Sequence, residues 1–224
     1  MTKKILILAP HADDEILGCG GVISKYSREG YAVNVLILTN ANAGAPELFT
    51  KKKINLIRSE SKKANGFIGT KNLFFEELPA LSLDNFSIYK IANIISRYVK
   101  KIKPDTVFIP SNYDIHQDHK TIFHSAKIAL RPDKKISVKK IFSYEVLSET
   151  EWNEDQKAFN PNFYVGLKKS DISLKIKSFY KYKSQVKKFP NPRSKEAIYC
   201  LARLRGSQVH MDYAEAFKIE KIIE

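Results

Sequence analysis

Two cysteines, two methionines and one tryptophan are all that the 224 residues hold of those types. Cys19 and Cys200 lie far apart and form no CxxC pair, which argues against a disulfide framework and fits a reducing compartment. Long hydrophobic runs are missing as well, and no apolar stretch is long enough to cross a bilayer. Ile5 to Ala9 follows Lys3 and Lys4 in the order of a signal peptide. The run is too short for that role, and the charged stretch His11–Glu15 comes directly after it. The expectation is a soluble, cytoplasmic protein with no membrane partner. Acidic residues are the scarcer charge, 24 Asp and Glu against 38 Lys and Arg, for a formal net charge of +14. Eight lysines fall between Lys168 and Lys188. That charge admits a nucleic-acid surface, a solvated lysine-rich face, or a potential that draws in phosphorylated or nucleotide-linked substrates. No aromatic-arginine interleaving or nucleic-acid motif accompanies it, so the solvated face is preferred over a basic nucleic-acid-binding module.

An apolar content of 43% and a charged content of 28% are ordinary for a globular chain, and the length suits one α/β domain over residues 1–224. Lys3–Ala9 and Ala32–Thr39 are short apolar runs and read as buried strands, as do Leu73–Phe75, Thr106–Pro110 and Lys140–Val146. Between them lie helical patterns: from Asp13 or Asp14 as cap to about Arg28, with Gly30 ending it; Lys51–Phe67; Asn85–Lys101; and about Lys120–Leu130. Residues 40–49 read as a loop. Strands alternating with helices predict a three-layer α/β sandwich with a mostly parallel sheet and helices on both faces over residues 1–147. From Ser148 the pattern changes. Turn signals at Asn160-Pro161-Asn162 and Pro190-Asn191-Pro192 separate the helices Ser170–Ser184 and Arg193–Arg205, and a last helix is expected from about Tyr213. Residues 148–224 therefore read as a C-terminal helical extension.

The chemistry concentrates in two segments, Pro10-His11-Ala12-Asp13-Asp14-Glu15 and His116-Gln117-Asp118-His119, each just past a strand. Ligands in a doubly wound sheet bind beyond the carboxyl ends of the strands, so the two meet in one crevice if those strands are neighbours. His11 and Asp14, three residues apart at a helix entry, can face one point as metal ligands, which leaves Asp13 as a free carboxylate for a general base. Glu15 can orient a ligand. Of His116 and His119, one can bind the metal while the other stabilises an oxyanion or protonates a leaving amine, with Asp118 or Asp114 holding its second nitrogen. Simple helix capping is the competing account of each segment taken alone. Gly18-Cys19-Gly20-Gly21 suggests a dinucleotide fingerprint, but Ile23 occupies the third glycine position, and close packing of a helix explains the glycines better. The remaining histidines, His124 and His210, lack carboxylates at ligand spacing.

The first segment resembles the (A/P)HPDDE signature of the PIG-L/LmbE-like deacetylases, and the second resembles that family's HxDH motif. Arg58-Ser59-Glu60, Ser184-Gln185, and Gly206 with Tyr213-Ala214-Glu215-Ala216-Phe217 are similar to weaker family features, so the resemblance spans nearly the whole chain. It implies a Rossmann-like fold and removal of the N-acetyl group from an N-acetylglucosamine-type sugar or conjugate. By motif position it implies His11, Asp14 and His119 as ligands of zinc, Asp13 as general base, His116 as oxyanion stabiliser or acid, and Arg58 as a substrate contact. A His-Asp-His set also accepts iron(II) or cobalt(II). The implied partner is a small N-acetyl sugar conjugate, with a phosphorylated or nucleotide-linked form open, and the C-terminal helices leave room for a homo-oligomer. Hydrolysis of another amide or ester at the same metal stays open as a rival. Ala12 and Gln117 replace prolines common in the family, and Asn40 stands where many members have a Thr-x-Gly stretch. None of these changes removes a ligand or the base.

Overall fold

The computed structural model describes residues 2–133, 138–153 and 159–224. Five apolar runs form parallel strands: β1 (Lys4–Ala9), β2 (Ala32–Asn40), β3 (Asn72–Pro79), β4 (Thr106–Pro110) and β5 (Lys140–Tyr144). The helices that return the chain are α1 (Asp14–Arg28), a one-turn α2 (Ala41–Gly44), α3 (Lys51–Ile68), α4 (Ile88–Ile102) and α5 (Gln117–Ala129). Near-continuous Ile, Leu and Val in β1 and β2 suit strands covered on both faces, and both are almost wholly buried. Ile5, Ile7 and Ala9 point into one core beneath α1 and α3. Leu6 and Leu8 point into a second core beneath α4 and α5. The sequence periodicity predicts a stripe of Ile88, Ile91, Ile95 and Val99 on α4; Ile91, Ile95 and Val99 are buried and Ile102 extends them, whereas Ile88 in the first turn is exposed.

The rest of the chain departs from expectation in part. Helices α6 (Lys169–Phe179) and α7 (Lys195–Ser207) are present, but β6 (Phe163–Gly166) was not anticipated. The segment from Tyr213 is strand β7 (Ala214–Ile222), not a helix. β7 lies antiparallel between β5 and β6, giving the seven-stranded order β3-β2-β1-β4-β5-β7-β6. The helical reading failed because Ala, Glu and Lys dominate this stretch. Tertiary pairing on both sides overrides that propensity.

Strand order reverses at β1, which has β2 on one side and β4 on the other. Ile7 pairs with Phe108, so the two motif-bearing strand ends are direct neighbours at the switch point. The glycines of α1 serve close packing. A side chain on Gly18 would collide with the Tyr144 ring, and one on Gly21 with Leu167. Among the described residues, no helix is long and apolar enough to cross a membrane.

Candidate metal centre and active-site pocket

His11 Nδ1, Asp14 Oδ2 and His119 Nε2 converge on one point. The first two atoms are 3.3 Å apart, His119 lies 3.2 Å from Asp14 and 3.3 Å from His11. Tetrahedral coordination with ligand bonds of ~2.0 Å places ligand atoms ~3.3 Å from one another, so this donor set fits a zinc-sized ion without rearrangement. Each histidine's other nitrogen meets a carboxylate: His11 Nε2 meets Asp118 Oδ2 at 3.0 Å, and His119 Nδ1 meets Asp114 Oδ2 at 2.6 Å. Such carboxylate–histidine pairs fix the tautomer that leaves the first nitrogen free to coordinate. Asp114 is itself held by the Thr150 hydroxyl, and Asp118 accepts the Leu81 N–H. His11, His116 and Asp118 make an overlapping triad of potential ligands. Asp118 is already engaged by His11 and by the Leu81 and Leu83 amides, which favours the first set.

The electrostatics point the same way. Burial disfavours a protonated His11, but Asp118 and Asp14 outweigh it and raise its pKa to about 9. Burial likewise opposes a charged His119, yet Asp14 and Asp114 push its pKa well up. A place that holds a proton so firmly between carboxylates is also suited to a divalent cation. His116 behaves oppositely: burial, with His11 and His119 nearby, lowers it to about 4. It is therefore neutral near pH 7. Its Nδ1 accepts the Asp118 N–H at 3.1 Å, so its proton sits on Nε2. The expectation that Asp114 or Asp118 holds the histidine off the metal is thus corrected. Those carboxylates hold His119 and His11, and a backbone amide sets the tautomer of His116.

Asp13 occupies the N-cap position of α1 without capping it through its side chain. Its φ is +116°, a region that a residue with a Cβ adopts only when held. The hold comes from Glu15, whose Oε2 accepts the Asp13 N–H at 3.0 Å. Glu15 Oε1 accepts from the Tyr182 hydroxyl at 2.5 Å and from Asn65 at 2.7 Å. Glu15 therefore steadies the Asp13 backbone instead of orienting a ligand. Asp13 Oδ2 accepts from Arg193 Nη1 at 2.9 Å, a partner the sequence reading missed. Burial raises Asp13 to about 7 against the opposing pull of Arg193.

A pocket of about 200 Å³ opens over these groups. His11, Asp13 and His116 line one end, and Phe49, Ile57, Phe75 and Leu81 give it apolar walls. Arg58 also lines it, paired with Glu77 Oε1 at 2.6 Å and lying over the Phe75 ring at 5.2 Å. Tyr182, considered at sequence level as a pocket residue, is buried against Glu15, while Tyr113 accepts from Lys218. Residues 40–49 contribute Asn40, Ala41 and Phe49 to the wall.

Two histidines and an aspartate, with His11 partly exposed and the other two buried, thus form a candidate metal site at the switch point of an α/β sheet. Residues 6–130 match the family model described as PIG-L: GlcNAc-PI de-N-acetylase, and the chain belongs to that family. Over 186 residues, 81% of this chain and 91% of the relative, it is 25% identical to the uncharacterized deacetylase YaiS of Escherichia coli K12. It is 27% identical over 124 residues, 52% of this chain and 54% of the relative, to a probable N-acetyl-alpha-D-glucosaminyl L-malate deacetylase 2 of Bacillus anthracis. The N,N'-diacetylchitobiose deacetylase of Pyrococcus horikoshii superposes with a TM-score of 0.76 at 21% identity, covering 98% of this chain and 84% of that one. GalB, the 4-carboxy-2-hydroxymuconate hydratase of Pseudomonas putida KT2440, shares the fold equally well. Its TM-score is 0.77 at 17% identity, covering 100% and 99% of the two chains. The fold by itself therefore does not select the reaction.

Proposed function

We propose that this chain is a metal-dependent hydrolase that removes the N-acetyl group from an N-acetylglucosamine-type sugar or conjugate and releases acetate. The observation that carries the reading is the juxtaposition of three convergent potential metal ligands, a buried carboxylate outside that set, and a histidine whose Nδ1 accepts a backbone amide, with His11, Asp13 and His116 lining the pocket. Family membership and the deacetylase names of relatives support it.

His11, Asp14 and His119 would hold the ion, with zinc the best match to a two-histidine, one-carboxylate set and iron(II) or cobalt(II) as substitutes. When bound, it lowers the pKa of water and polarises a carbonyl. The protein's own groups do the rest. Asp13 takes the proton of the attacking water as its oxygen bonds to the amide carbon. His116 donates its Nε2 hydrogen bond to the oxyanion that forms. The C–N bond then breaks, and the amine leaves with a proton from Asp13 or His116. Arg58 is proposed to contact the sugar.

The basic charge of the chain is not concentrated in this pocket. Among the described residues, its lining cations Arg58 and Arg193 already hold Glu77 and Asp13, and no lysine lines it. This favours a neutral N-acetyl sugar at the reacting end over a phosphorylated or nucleotide-linked one. A KM insensitive to salt is expected, and one that climbs steeply with ionic strength would restore the anionic substrate.

The deciding experiment measures bound metal and released acetate on wild type and Asp14→Ala, with N-acetylglucosamine conjugates as substrates. About one zinc or iron per chain, lost in the variant together with acetate release, is the expected result. Metal without acetate release would move the reading to another amide or ester, and no metal after reconstitution would defeat it.

A further inference from the structure

Arg193 lies on the segment between α6 and α7, 180 positions from the residue it touches. That segment is drawn back over the pocket. Ser184 Oγ donates to Glu60 of α3 at 2.5 Å, and the Lys187 amide donates to the Arg193 carbonyl at 3.1 Å. The guanidinium is held at three points. Nε donates to Ser148 Oγ at 3.0 Å, and Nη1 donates both to Gln185 Oε1 and to Asp13 Oδ2, each at 2.9 Å. Asp13 is 2% exposed and Arg193 lines the pocket. Among the described residues, Asp13 Oδ1 accepts from no donor, so one oxygen is fixed and the other is left for a proton.

We infer that Arg193 is the positioning residue for the base, clamping Asp13 Oδ2 so that Oδ1 addresses the attacking water. The inference rests on the deacetylase reading and adds a residue from the far end of the chain to its machinery. A carboxylate on a strained first turn has two rotational freedoms that would misalign it, and a planar guanidinium locked by Ser148 and Gln185 removes them. A lysine would supply the charge at one point only and would not reach Ser148 and Asp13 together. The same bond orders the substrate wall, because Gln185 and Arg193 both line the pocket.

The test compares the metal-loaded wild type with Arg193→Ala and Arg193→Lys, with Arg203→Ala as a control for loss of an exposed arginine. Acetate release, metal content and melting temperature are measured on each. The expected result for Arg193→Ala is a kcat lowered about 100-fold or more with KM changed less than about threefold and metal retained. Ethylguanidinium in the buffer should restore kcat at least about tenfold in this variant and leave wild type unchanged. Arg193→Lys should fall between the two and carries the test if the alanine variant does not fold. A raised KM at unchanged kcat would make Arg193 a substrate contact instead. A loss of kcat with no guanidinium rescue would make it a strut. Either result overturns the inference. A wild type that releases no acetate defeats the deacetylase reading separately. The variants are then compared on p-nitrophenyl acetate, where an unchanged rate in Arg193→Ala overturns the positioning role and a rescued loss upholds it.

Discussion

Residues 1–147 and residues 148–224 divide the labour unevenly. The first region carries the candidate metal cluster, the candidate base and His116. The second contributes almost nothing to that list, yet its buried polar groups converge on one helix of the first. Along α1 and the residue before it, Arg193 takes Asp13, Tyr182 takes Glu15, and Lys175 takes the Leu17 carbonyl. Glu215 takes the Gly21 and Val22 amides, and Asp171 takes Ser24 and Arg28. Chemistry is placed by the strand ends of the first region, and the helix that bears it is clamped from first turn to last by the second. If the division holds, substitutions in the first region lower activity at constant stability, and substitutions in the clamp, with the exception of Arg193 at Asp13, lower stability at near-constant activity per folded molecule.

The largest effect should come from Asp13→Asn, which keeps the shape of the side chain and removes the base. A kcat lowered about 10²–10⁴-fold with metal content unchanged is expected. Retained activity would show that Asp13 only terminates the helix.

The clamp is tested hardest at Lys175 and Glu215. Their ion pair is 2.7 Å long, and both side chains are about 5% exposed. Lys175 reaches the Leu17 carbonyl and Glu215 the Gly21 amide, two groups that a regular helix pairs with each other. Lys175→Met leaves Glu215 buried without its counter-ion, held only by the Gly21 and Val22 amides, and should cost about 3–5 kcal/mol in denaturant unfolding. Replacing both with apolar residues removes the two buried charges together and leaves the Leu17 carbonyl and Gly21 amide to the pairing that a regular helix gives them. The double variant should therefore be more stable than the sum of the single changes by about 1–3 kcal/mol. Simple additivity would mean that the pair acts as two independent contacts.

Tyr182→Phe should sit next in rank. It removes the hydroxyl donor from Glu15 and leaves Asn65 and the Asp13 and Glu15 amides donating to that carboxylate. About 1–3 kcal/mol of stability should be lost. A kcat loss exceeding the stability loss would show that the strained turn at Asp13 relaxes, which would blur the comparison.

How much of this was legible depends on how far apart the participants lie. His11 and Asp14 could be picked out because their motif is local, His119 was singled out from His116 only by the family resemblance, and the meeting of the two motifs follows from β1 and β4 being neighbours at a switch point. The partners of those histidines were not legible. Asp114 and Asp118 are both close to His116 in sequence, but helix entry turns them toward His119 and His11. β7 was obscured by Glu215, which breaks the alternating apolar face of Tyr213, Phe217 and Ile219 with a buried charge. That charge makes sense only once the α1 amides and Lys175 are beside it. Arg193 left a weaker trace, an arginine directly after the Pro190-Asn191-Pro192 turn, and nothing in spacing connects it with Asp13.

The smallest predicted effect sharpens the comparison most, because it separates clamp from surface decoration. Arg28 ends α1 and pairs with Asp171 at 3.0 Å, yet its side chain is 43% exposed. Asp171 is buried and retains two other donors, the Ser24 hydroxyl at 2.8 Å and the Lys168 amide at 2.9 Å. Screening by water leaves the ion pair little net value, so Arg28→Ala should cost no more than about 1 kcal/mol. Asp171→Ala, by contrast, leaves the Ser24 hydroxyl without that acceptor in a buried setting and removes the side chain that holds the first turn of α6. Its cost should be about 1–3 kcal/mol. Equal losses from the two variants in denaturant unfolding would place the value in the exposed charge pair and contradict a clamp built from buried hydrogen bonds.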